Sequence, residues 1–468
     1  MRSQNRFGRA VVLGGSIAGL LGARVLAERF RQVIVLERDP VPEGPVARKG
    51  VPQGRHVHVL LDAGRELLEQ LFPGLMAELY ASGAERMDAG RDTAWFHAGS
   101  WKARYVSGIE SVLCTRPWLE WKIRDRVAEL PNVQLRHGCS VEALLTDASR
   151  ARVTGVRVKT PQGEEQLEAD LVLDASGRGS RAPRWLEALG YGSPPEEQIA
   201  IQLAYTTRLY ERPANFRGDW KLLALYPRAP EAWKAGFISC VEGGRWLVSL
   251  SGYFGDHAPT DEQGFLEFAR SLPRRDLYEA IREARPVSEA VVHKSPSSRW
   301  LHYERLERFP EGFILLGDSV CALNPIYGQG VTVICLGARL LGECLDDQVR
   351  FSASGLHGLS RRFQRRLSRR LFLPWLMGST LDLKYPRMQG RRLPGLSALQ
   401  WGFSTFIDLT SQDTESCRTL YEVMHMRKGW EALLNLGLLK AFTTYGLKSF
   451  FVPLAERANV SALPPAPA

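Results

Sequence analysis

Paired cysteines and long apolar runs are both missing from this chain. It has 468 residues and seven cysteines, an odd number, and no two cysteines are spaced as CxxC. This pattern argues against a disulfide framework and a zinc site, so we expect no bound metal and a reducing compartment, most simply the cytoplasm. No stretch approaches the roughly 18–20 apolar residues that a membrane-spanning helix needs. The chain also has no evident internal repeat.

The charge of the chain is basic but not clustered. Its 61 lysines and arginines exceed its 51 acidic residues and give a formal net charge of +10. A basic surface suits anionic ligands such as a pyrophosphate or a nicotinamide nucleotide, and it suits an anionic membrane surface. The arginines are spread along the whole chain, so we expect no nucleic-acid binding. The length predicts two or three structural units.

A glycine-rich turn lies near the N-terminus. Residues 10–13 predict a short buried strand, and the sequence GGSIAG (residues 14–19) follows directly, ahead of a helical pattern. Gly14 permits a tight turn, Gly19 permits close packing of helix on strand, and the amides at the helix start can hold a pyrophosphate. Ser16 replaces the middle glycine of the usual GxGxxG pattern. By itself, therefore, the turn is also compatible with an α/β protein of another function.

An acidic residue follows the next predicted strand. Residues 33–36 are apolar, and Glu37 comes directly after them, 23 positions after Gly14. A carboxylate at this position of a dinucleotide-binding unit accepts hydrogen bonds from a ribose hydroxyl. The alternative is an exposed acid at a strand end.

Two later segments each place an acid and a glycine-rich turn after a buried strand. The first is DLVLDASGRGSR (residues 170–181), and the second is GDS (residues 317–319) followed by NPIYGQG (residues 324–330). Asp318 is suited to bind a sugar-like hydroxyl. The helix N-terminus after Gly330 offers the partial positive charge that a reduced, anionic flavin needs beside its pyrimidine ring. Each segment alone is compatible with an ordinary loop, but the ordered set of three indicates a flavin dinucleotide.

The middle of the chain has a different pattern. Residues 200–210 are strand-like, and residues 237–241 and 246–252 flank a Glu-Gly-Gly-Arg turn, which predicts a hairpin. An antiparallel sheet is therefore expected between about 190 and 295. The chain after residue 331 has helical spacing.

The ordered set of motifs resembles the FAD-dependent monooxygenases of the aromatic-hydroxylase type, from about residue 10 to 345. Arg116, at a predicted helix start, matches a further FAD-contacting arginine of that group. The loop RKGVPQGRHVH (residues 48–58), together with DASGRGSR and NPIYGQG, is similar to the flavin epoxidases of polyether-antibiotic biosynthesis. The resemblance implies FAD as the cofactor and oxygen activation as its use.

The resemblance also implies roles for individual positions. Two positions, to which we assign no acid or base role, are expected at the flavin edge: Pro325 and Gln329. The positions expected to hold FAD are Gly14, Ser16, Gly19, Glu37, Arg38, Arg48, Arg116, Asp318, Gly328 and Gly330. Arg178 and Arg181 are expected to assist a pyridine nucleotide or to shape the site, although Asp-Ala-Ser-Gly departs from the commoner Asp-Gly form.

The expected fold is α/β, a Rossmann-like FAD-binding domain with an antiparallel β-sheet substrate domain and a helical C-terminal region. Residues 1–189 form the main part of the FAD-binding domain, with part of the substrate region near 83–110. The antiparallel substrate domain takes residues 190–295. Residues 296–345 complete the FAD-binding domain, and residues 346–468 form the helical region.

The implied activity is the transfer of oxygen to a hydrophobic natural-product intermediate (a polyketide, terpenoid or prenylated compound), with NAD(P)H and O2 as co-substrates. Such enzymes act through a flavin C4a-hydroperoxide, which an electron-rich alkene can attack without a protein base. Hydroxylation of a phenol gains from a base, and no His–Asp or paired-carboxylate pattern is evident, which favours epoxidation. No second dinucleotide fingerprint exists. NAD(P)H is therefore expected to bind transiently, or a separate flavin reductase to supply reduced flavin.

Two other functions remain open at this stage. A flavin-dependent prenyl or geranylgeranyl reductase shares the fold and would reduce an isoprenoid double bond. A flavin-holding catalyst of cyclisation would convert its substrate without consuming NAD(P)H.

Two basic features have both a functional and a structural explanation. His56 and His58 could act as a catalytic pair, but residues at i and i+2 need not face one point, so packing of their loop on the cofactor is favoured. Six arginines between residues 361 and 370 predict a basic helix face. It could make a weak, peripheral contact with an anionic membrane, although the solvated outer face of a packed helix is the commoner case.

Overall fold

A computed structural model describes residues 7–352, 355–429, 431–432 and 463–467 of the chain. Its centre is a five-stranded sheet in which every neighbouring pair of strands is parallel. In spatial order the strands are Phe313–Leu315, Leu171–Asp174, Phe7–Leu13, Phe30–Leu36 and Val133–Arg136. The three segments singled out in the sequence thus belong to one sheet.

The sheet is apolar because helices cover it. The helix Ile17–Ala27 is buried along almost its whole length, with Arg24 the exception. It packs against the sheet and against the long helix Gly330–Phe351. A side chain at Gly22 would come within 2.3 Å of Leu173, so glycine lets this helix lie close to the sheet. Parallel strands buried in this way have continuous apolar runs, which is the pattern that the sequence shows.

A second, seven-stranded sheet is antiparallel except for one pair. Its strands, in spatial order, are Val291–Ser295, Leu203–Glu211, Arg245–Gly252, Lys234–Val241, Leu222–Leu225, Thr93–His97 and Ser100–Trp101. The predicted hairpin around Glu-Gly-Gly-Arg is present, since Val241 pairs with Arg245. Two short helices, Glu262–Arg270 and Asp276–Ile281, cover one face over a separate apolar cluster.

Three small sheets complete the β-structure of the described residues. The first consists of Gly163–Glu168, Val153–Thr160 and Ser140–Thr146; the second of Glu196–Ile199, Ser298–Leu301 and Cys321–Ala322; the third of Val59–Leu60, Glu110–Leu113 and Glu85–Asp88.

The remaining helices surround the sheets. Their bounds are Asp62–Leu71, Leu75–Ala81, Arg116–Ala128, Ala182–Ala188, Leu359–Asp382, Leu396–Leu409 and Thr414–Met424. The first two are separated at Pro73 and Gly74, and Gly74 has a φ of 86°. The last three belong to the predicted C-terminal helical region, of which residues 433–462 lie outside the described residues.

The α/β fold class with a Rossmann-like parallel sheet, antiparallel sheets and C-terminal helices is confirmed. The domain boundaries given above stay a prediction. Among the described residues, no helix is both long enough and apolar enough to cross a membrane. All seven cysteines are buried and unpaired.

Candidate functional site

The three glycine-rich motifs meet at one edge of the parallel sheet. Leu13 lies level with both Leu36 and Asp174, and Asp174 lies level with Leu315. Each of the three motifs therefore begins at the carboxyl end of a neighbouring strand. In open parallel sheets this edge is where ligands bind.

The first turn requires glycine at two positions. Gly14 has a φ of 97°, and a side chain there would come within 2.7 Å of the Ala175 carbonyl oxygen. A side chain at Gly19 would come within 1.8 Å of the Gly14 carbonyl oxygen. The turn is thus held tightly between the sheet and the helix Ile17–Ala27. The amides at the start of this helix are suited to an anionic group.

Glu37 lies directly beside this turn and is buried. Its carboxylate accepts hydrogen bonds from the Gly15 amide at 2.9 Å and the Asp39 amide at 3.0 Å. Burial acts to raise the pKa of Glu37, but these amides and Arg48 outweigh it and hold the pKa below its ordinary value. Glu37 is therefore a carboxylate at neutral pH and can accept hydrogen bonds from ligand hydroxyls.

Arg48 connects the loop after the second strand to this carboxylate. Its guanidinium lies 3.0 Å from Glu37, 3.3 Å from Asp39 and 2.5 Å from Glu120, and its side chain is buried. Glu120 in turn accepts a hydrogen bond from the Ser16 hydroxyl at 2.6 Å. The sequence predicts Arg48 as a site residue, but it does not predict its partner Glu120.

The helix Arg116–Ala128 supplies further charged groups to the same place. Arg116 donates to the Ser16 hydroxyl at 3.1 Å, and Arg124 donates to the Gly15 carbonyl at 2.6 Å. Arg116, Glu120 and Arg124 are spaced four residues apart, so they share one helix face. That spacing is the signal by which Glu120 and Arg124 could have been found. Burial lowers the pKa of Arg116, against the opposing effect of Glu120 and Asp318.

Asp318 lies at the end of the neighbouring edge strand. Its carboxylate is half-buried and accepts no hydrogen bond from the described residues. Burial raises the pKa of Asp318, although Arg178, Arg116 and Arg299 oppose this. A carboxylate in this setting gains from a hydroxyl donor, as a sugar or sugar-alcohol group provides.

The last motif forms a short 3-10 turn and then a helix start. The turn Pro325–Tyr327 ends at Gly328, which has a φ of 67°, and the helix Gly330–Phe351 follows. Side chains added at Gly328 or Gly330 would meet open space. Gln329 precedes the helix and is buried, while Pro325 is exposed. The amides of this helix start are thus open to a ligand with negative charge.

These groups fit FAD. The Nε of Arg116 is buried without a hydrogen-bond partner among the described residues, and so is suited to an acidic group beside Ser16. Glu37 and Asp318 are suited to hydroxyl groups on opposite sides of the first turn along the strand edge. Arg38 is exposed, so the structure does not bring it into the cluster formed by Glu37, Arg48 and Glu120. The individual roles of these residues in holding FAD remain a prediction.

The second motif divides into an inner and an outer arginine. Arg178 donates to the Ser297 carbonyl and lies close enough to Asp318 to affect its pKa. Arg181 is exposed and pairs with Glu142 at 3.3 Å. Only Arg178 is therefore placed at the site.

Of the two histidines of the 48–58 loop, His56 is buried and His58 is half-buried, and they face different partners. The His56 ring contacts the Thr207 hydroxyl at 2.6 Å through Nδ1, whereas Nδ1 of His58 contacts the carbonyl of His56 at 2.8 Å. Burial lowers the pKa of His56 to about 3 and that of His58 to about 4. Both are neutral at physiological pH, which agrees with packing of the loop rather than acid–base work.

A cavity adjoins the Pro325–Tyr327 turn. Ile326 and Tyr327 form part of its wall, which brings the cavity next to the motif that is predicted for the flavin edge. The wall is largely aromatic and aliphatic, with a few basic groups. Its other residues are His97, Ala98, Tyr226, Pro227, Arg228, Ala229, Tyr253, Leu381, Lys384, Tyr385, Ser404, Ile407 and Asp408. This arrangement is typical of a pocket for a hydrophobic small molecule.

A buried hydrogen-bond network lies behind this wall. Asp382 accepts hydrogen bonds from the Tyr327 hydroxyl at 2.7 Å and from the Asn324 amide at 2.8 Å. The Asn324 amide also donates to the Tyr253 hydroxyl at 3.0 Å. Sequence reasoning missed Asp382, because it follows Tyr327 by 55 residues and no local pattern connects them.

Comparison with known proteins identifies the family of the chain. Residues 10–184 match the family described as FAD dependent oxidoreductase. Protein Rv3254 of Mycobacterium tuberculosis (strain ATCC 25618 / H37Rv) is 33% identical over 404 residues, which cover 82% of this chain and 82% of that protein. The chain therefore belongs to the FAD-dependent oxidoreductase family.

Monooxygenases are among its similar proteins. Kynurenine 3-monooxygenase of Salinispora tropica (strain ATCC BAA-916 / DSM 44818 / JCM 13857 / NBRC 105044 / CNB-440) is 25% identical, with 72% of each chain covered. The crystal structure of p-nitrophenol 4-monooxygenase PnpA from Pseudomonas putida DLL-E4 superposes with a TM-score of 0.61 at 19% identity, covering 88% of this chain and 96% of that one. The resemblance to FAD-dependent enzymes with aromatic-hydroxylase-like neighbours is thus confirmed at the level of the family.

Proposed function

We propose that this chain is a FAD-dependent monooxygenase that uses NAD(P)H and O2 to epoxidise or hydroxylate a hydrophobic natural-product intermediate. The observation that carries the proposal is the cavity beside the Pro325–Tyr327 turn, next to an open helix start, in a member of a flavin-dependent family. Similar proteins named as monooxygenases support the reaction class. The closer likeness to polyether epoxidases stays a prediction.

The residues of the strand edge would hold FAD. Glu37 would accept hydrogen bonds from the ribose, the helix start after Gly14 and the Arg116 guanidinium would hold the phosphates, and Asp318 would accept a hydrogen bond from a further hydroxyl. The amides after Gly330 would stabilise negative charge on the flavin ring. Bound FAD would supply the activation of O2 and the transfer of one oxygen atom.

The cavity would hold the substrate away from water. Its aromatic wall favours an apolar molecule, and its lining by Ile326 and Tyr327, between Pro325 and Gln329 in the chain, would place that molecule near the flavin edge. Positioning and the exclusion of water are what oxygen transfer requires of the protein.

The source of electrons is also part of the proposal. The chain has one glycine-rich GxxxxG turn of the dinucleotide-binding type at the end of a strand. FAD would bind at this turn. NAD(P)H would therefore bind transiently, or a separate flavin reductase would supply reduced flavin. A cytoplasmic location, with a weak membrane-surface contact as the alternative, stays a prediction.

Product analysis under oxygen-18 gas tests the proposal. The FAD-loaded enzyme is supplied with NAD(P)H and a set of hydrophobic alkenes and phenols, and the products are examined by mass spectrometry. One oxygen-18 atom in the product is expected. A product that gains two hydrogens and no label would establish the prenyl reductase alternative instead. Conversion without NAD(P)H consumption would establish the non-redox cyclisation alternative.

Stopped-flow absorbance gives a test that needs no known substrate. The reduced, FAD-loaded protein is mixed with oxygenated buffer. A transient absorbance distinct from both oxidised and reduced flavin is expected, because a substrate site that limits the access of water would delay the release of activated oxygen. Direct return to the oxidised spectrum with every compound tested would count against oxygen transfer.

A further inference from the structure

The carboxyl group of Asp382 is buried behind the cavity wall. It ends the helix Leu359–Asp382 and is 1% exposed. Its Oδ1 receives the hydrogen bonds from Tyr327 and Asn324, whereas its Oδ2 is buried without a hydrogen-bond partner in the described part of the chain. A buried carboxylate that is only partly satisfied is costly, so such a group usually has a functional reason.

The groups that face Asp382 are neutral. The nearest groups are the side chains of Asn324, Tyr253 and Tyr327. Tyr385 and Tyr205 lie close enough for the Asp382 carboxylate to raise their pKa values. No ion pair to Asp382 is present among residues 7–352 and 355–429. Burial raises the pKa of Asp382 to about 7, although the hydrogen bonds from Tyr327 and Asn324 and the nearby Tyr253 hydroxyl oppose this. The carboxyl group can therefore gain and lose a proton near neutral pH.

Tyr327 connects Asp382 to the cavity. Its ring lines the cavity wall, and its hydroxyl donates to Asp382. Gly378, one helical turn before Asp382, leaves room for this ring, because a side chain there would lie 3.3 Å from it. Burial raises the pKa of Tyr327 well above its ordinary value, so Tyr327 stays a neutral hydroxyl. A neutral hydroxyl can pass a proton on, but cannot keep one as a base.

The charge of the cavity wall favours an acidic hydroxyl. Lys384 and Arg228 both line it, together with one acid, Asp408, which lies close enough to Lys384 to affect its pKa. His97 also lines it, and burial lowers the pKa of His97 well below its ordinary value, so the ring is neutral. The Nδ1 of His97 is buried without a hydrogen-bond partner among the described residues. A phenolate or enolate would thus find a net positive charge and an unsatisfied ring nitrogen around it.

We propose that Tyr327 and Asp382 form a proton relay that removes the hydroxyl proton of a phenolic or enolic substrate in this cavity. The inference rests on the proposed monooxygenase function and names its substrate class. It places hydroxylation of an electron-rich ring ahead of the epoxidation that the sequence favours. Tyr327 contacts the substrate, and Asp382 acts through it.

The proton transfer balances in one concerted step. The substrate O–H bond breaks and its proton goes to the Tyr327 oxygen, while the Tyr327 O–H bond breaks and its proton goes to Oδ1 of Asp382. Tyr327 ends neutral, Asp382 becomes a carboxylic acid, and the substrate becomes an anion with higher electron density on its ring. The Asp382 proton then returns to solvent or to product.

Infrared difference spectroscopy of the FAD-loaded oxidised protein tests the relay without turnover. Wild type and Asp382→Asn are compared across pH, and the carboxylic-acid band missing from the variant is assigned to Asp382. It is expected to titrate near pH 7. In Tyr327→Phe the midpoint is expected to rise by about one to two pH units, because a hydrogen bond to the charged form is lost.

Tyr385→Phe is the matched control. Tyr385 also lines the cavity, but its hydroxyl donates to the Ala232 carbonyl at 2.6 Å and not to Asp382. Its loss is therefore expected to leave the Asp382 midpoint nearly unchanged. A midpoint near pH 4 in wild type, or equal midpoints in Tyr327→Phe and Tyr385→Phe, would overturn the relay.

Binding of 4-nitrophenol tests the substrate class, because its phenol and phenolate forms have different colours. In the wild-type protein the bound probe is expected to be mostly phenolate at pH values where the free probe is mostly phenol. Bound phenolate is expected to raise the Asp382 infrared midpoint by about one pH unit, because a negative charge beyond Tyr327 favours the neutral acid. Asp382→Asn is expected to bind the probe as phenolate too, since its side chain is neutral at every pH; an Asp382 midpoint that does not move with the probe bound would overturn the relay. A bound neutral phenol in wild type, or no saturable binding, would overturn the assignment.

The two proposals fail separately. If these spectroscopic signals appear and no oxygen-18 enters any product, the relay stands and the monooxygenase function fails. If oxygen-18 enters an alkene product while Asp382 titrates near pH 4, the monooxygenase function stands and the relay is overturned.

Discussion

Two buried carboxyl groups of this protein have opposite pKa shifts, and their partners explain the difference. Glu37 is buried among backbone amides and Arg48, which stabilise its charged form. Asp382 is buried among a side-chain amide and tyrosine hydroxyls, which stabilise its charged form less. Burial favours the neutral form in both cases, so the presence of a cation and of aligned amides decides the outcome. Glu37 is therefore suited to bind ligand hydroxyls, and Asp382 to exchange a proton.

The charge of Glu37 is expected to matter for FAD affinity. Glu37→Gln keeps the size of the side chain but removes the charge that would accept ribose hydroxyls, so FAD binding is expected to weaken by about 10- to 100-fold. Titration of the apoprotein with FAD, followed by flavin fluorescence, measures this. Glu28→Gln is the control, because Glu28 pairs with Arg24 and Arg29 on the outside of the helix. Equal dissociation constants for the two variants would contradict the role of Glu37.

The raised pKa of Asp382 has a defined effect on stability. A carboxyl group whose pKa is about 7 when folded and near 4 when unfolded favours the folded state at low pH, and this contribution is lost as pH rises through 7. Asp382→Asn stays neutral, so relative to wild type it is expected to gain stability as pH rises from about 4 to about 7 and to keep a constant advantage above that, about 4 kcal/mol at most. Urea unfolding at several pH values measures this. A difference between the two proteins that is independent of pH would contradict the shift.

At the scale of elements, the arginine-rich helix is partly accounted for by its neighbour. Arg366 pairs with Glu343 and Asp347 of the helix Gly330–Phe351, both at 3.0 Å. Arg362 donates to the Cys344 carbonyl of the same helix. Other arginines of this face are exposed: Arg365, Arg369 and Arg370. The face therefore serves helix packing, and a membrane contact would have to use its exposed members.

The first glycine turn is expected to tolerate no side chain at its end. Gly19→Ala would place a carbon 1.8 Å from the Gly14 carbonyl oxygen. The helix would have to move, and we expect a loss of about 1–3 kcal/mol or more in unfolding free energy, together with loss of FAD binding. Gly44→Ala is the control, because no described atom lies within 4 Å of the added carbon. Denaturant unfolding of both variants measures the difference; an equal effect would contradict the tight turn.

Local elements were predictable because their signals are local. The strand, glycine turn and helix of residues 10–30 are adjacent in sequence, and the hairpin around Glu-Gly-Gly-Arg contains its own turn. The helical pattern of residues 62–81 forms two helices, Asp62–Leu71 and Leu75–Ala81, since Pro73 and Gly74 divide it. The Tyr327–Asp382 pair was not predictable, because it depends on how one helix end packs on a distant turn.

At the scale of the whole molecule, the site is assembled from segments that are far apart in the chain. The edge of the parallel sheet collects the first turn, Glu37, Arg48, Arg116 and Asp318, and the seven-stranded sheet and C-terminal helices supply the cavity wall. A ligand that contacts several of these segments stabilises all of them together.

Removal of FAD is therefore expected to destabilise the whole protein. At a free FAD concentration of 100 times Kd, the loss on removal is about 2.7 kcal/mol. Thermal unfolding of the loaded and stripped protein measures this, and returning FAD is expected to restore the original Tm. FMN is expected to restore less, because it lacks the adenosine half that Glu37 would hold. An unchanged Tm after complete removal would contradict the placement of FAD between these segments.

The order of strands in the parallel sheet has a consequence for the synthesis of the protein. The central strand Phe7–Leu13 leaves the ribosome first, but its neighbour Leu171–Asp174 and the edge strand Phe313–Leu315 leave much later. Until residue 315 has emerged, the nascent chain presents an unpaired apolar strand edge and an incomplete nucleotide site. Cofactor loading therefore belongs to the last stage of folding, and the growing chain depends on protection of that edge until then.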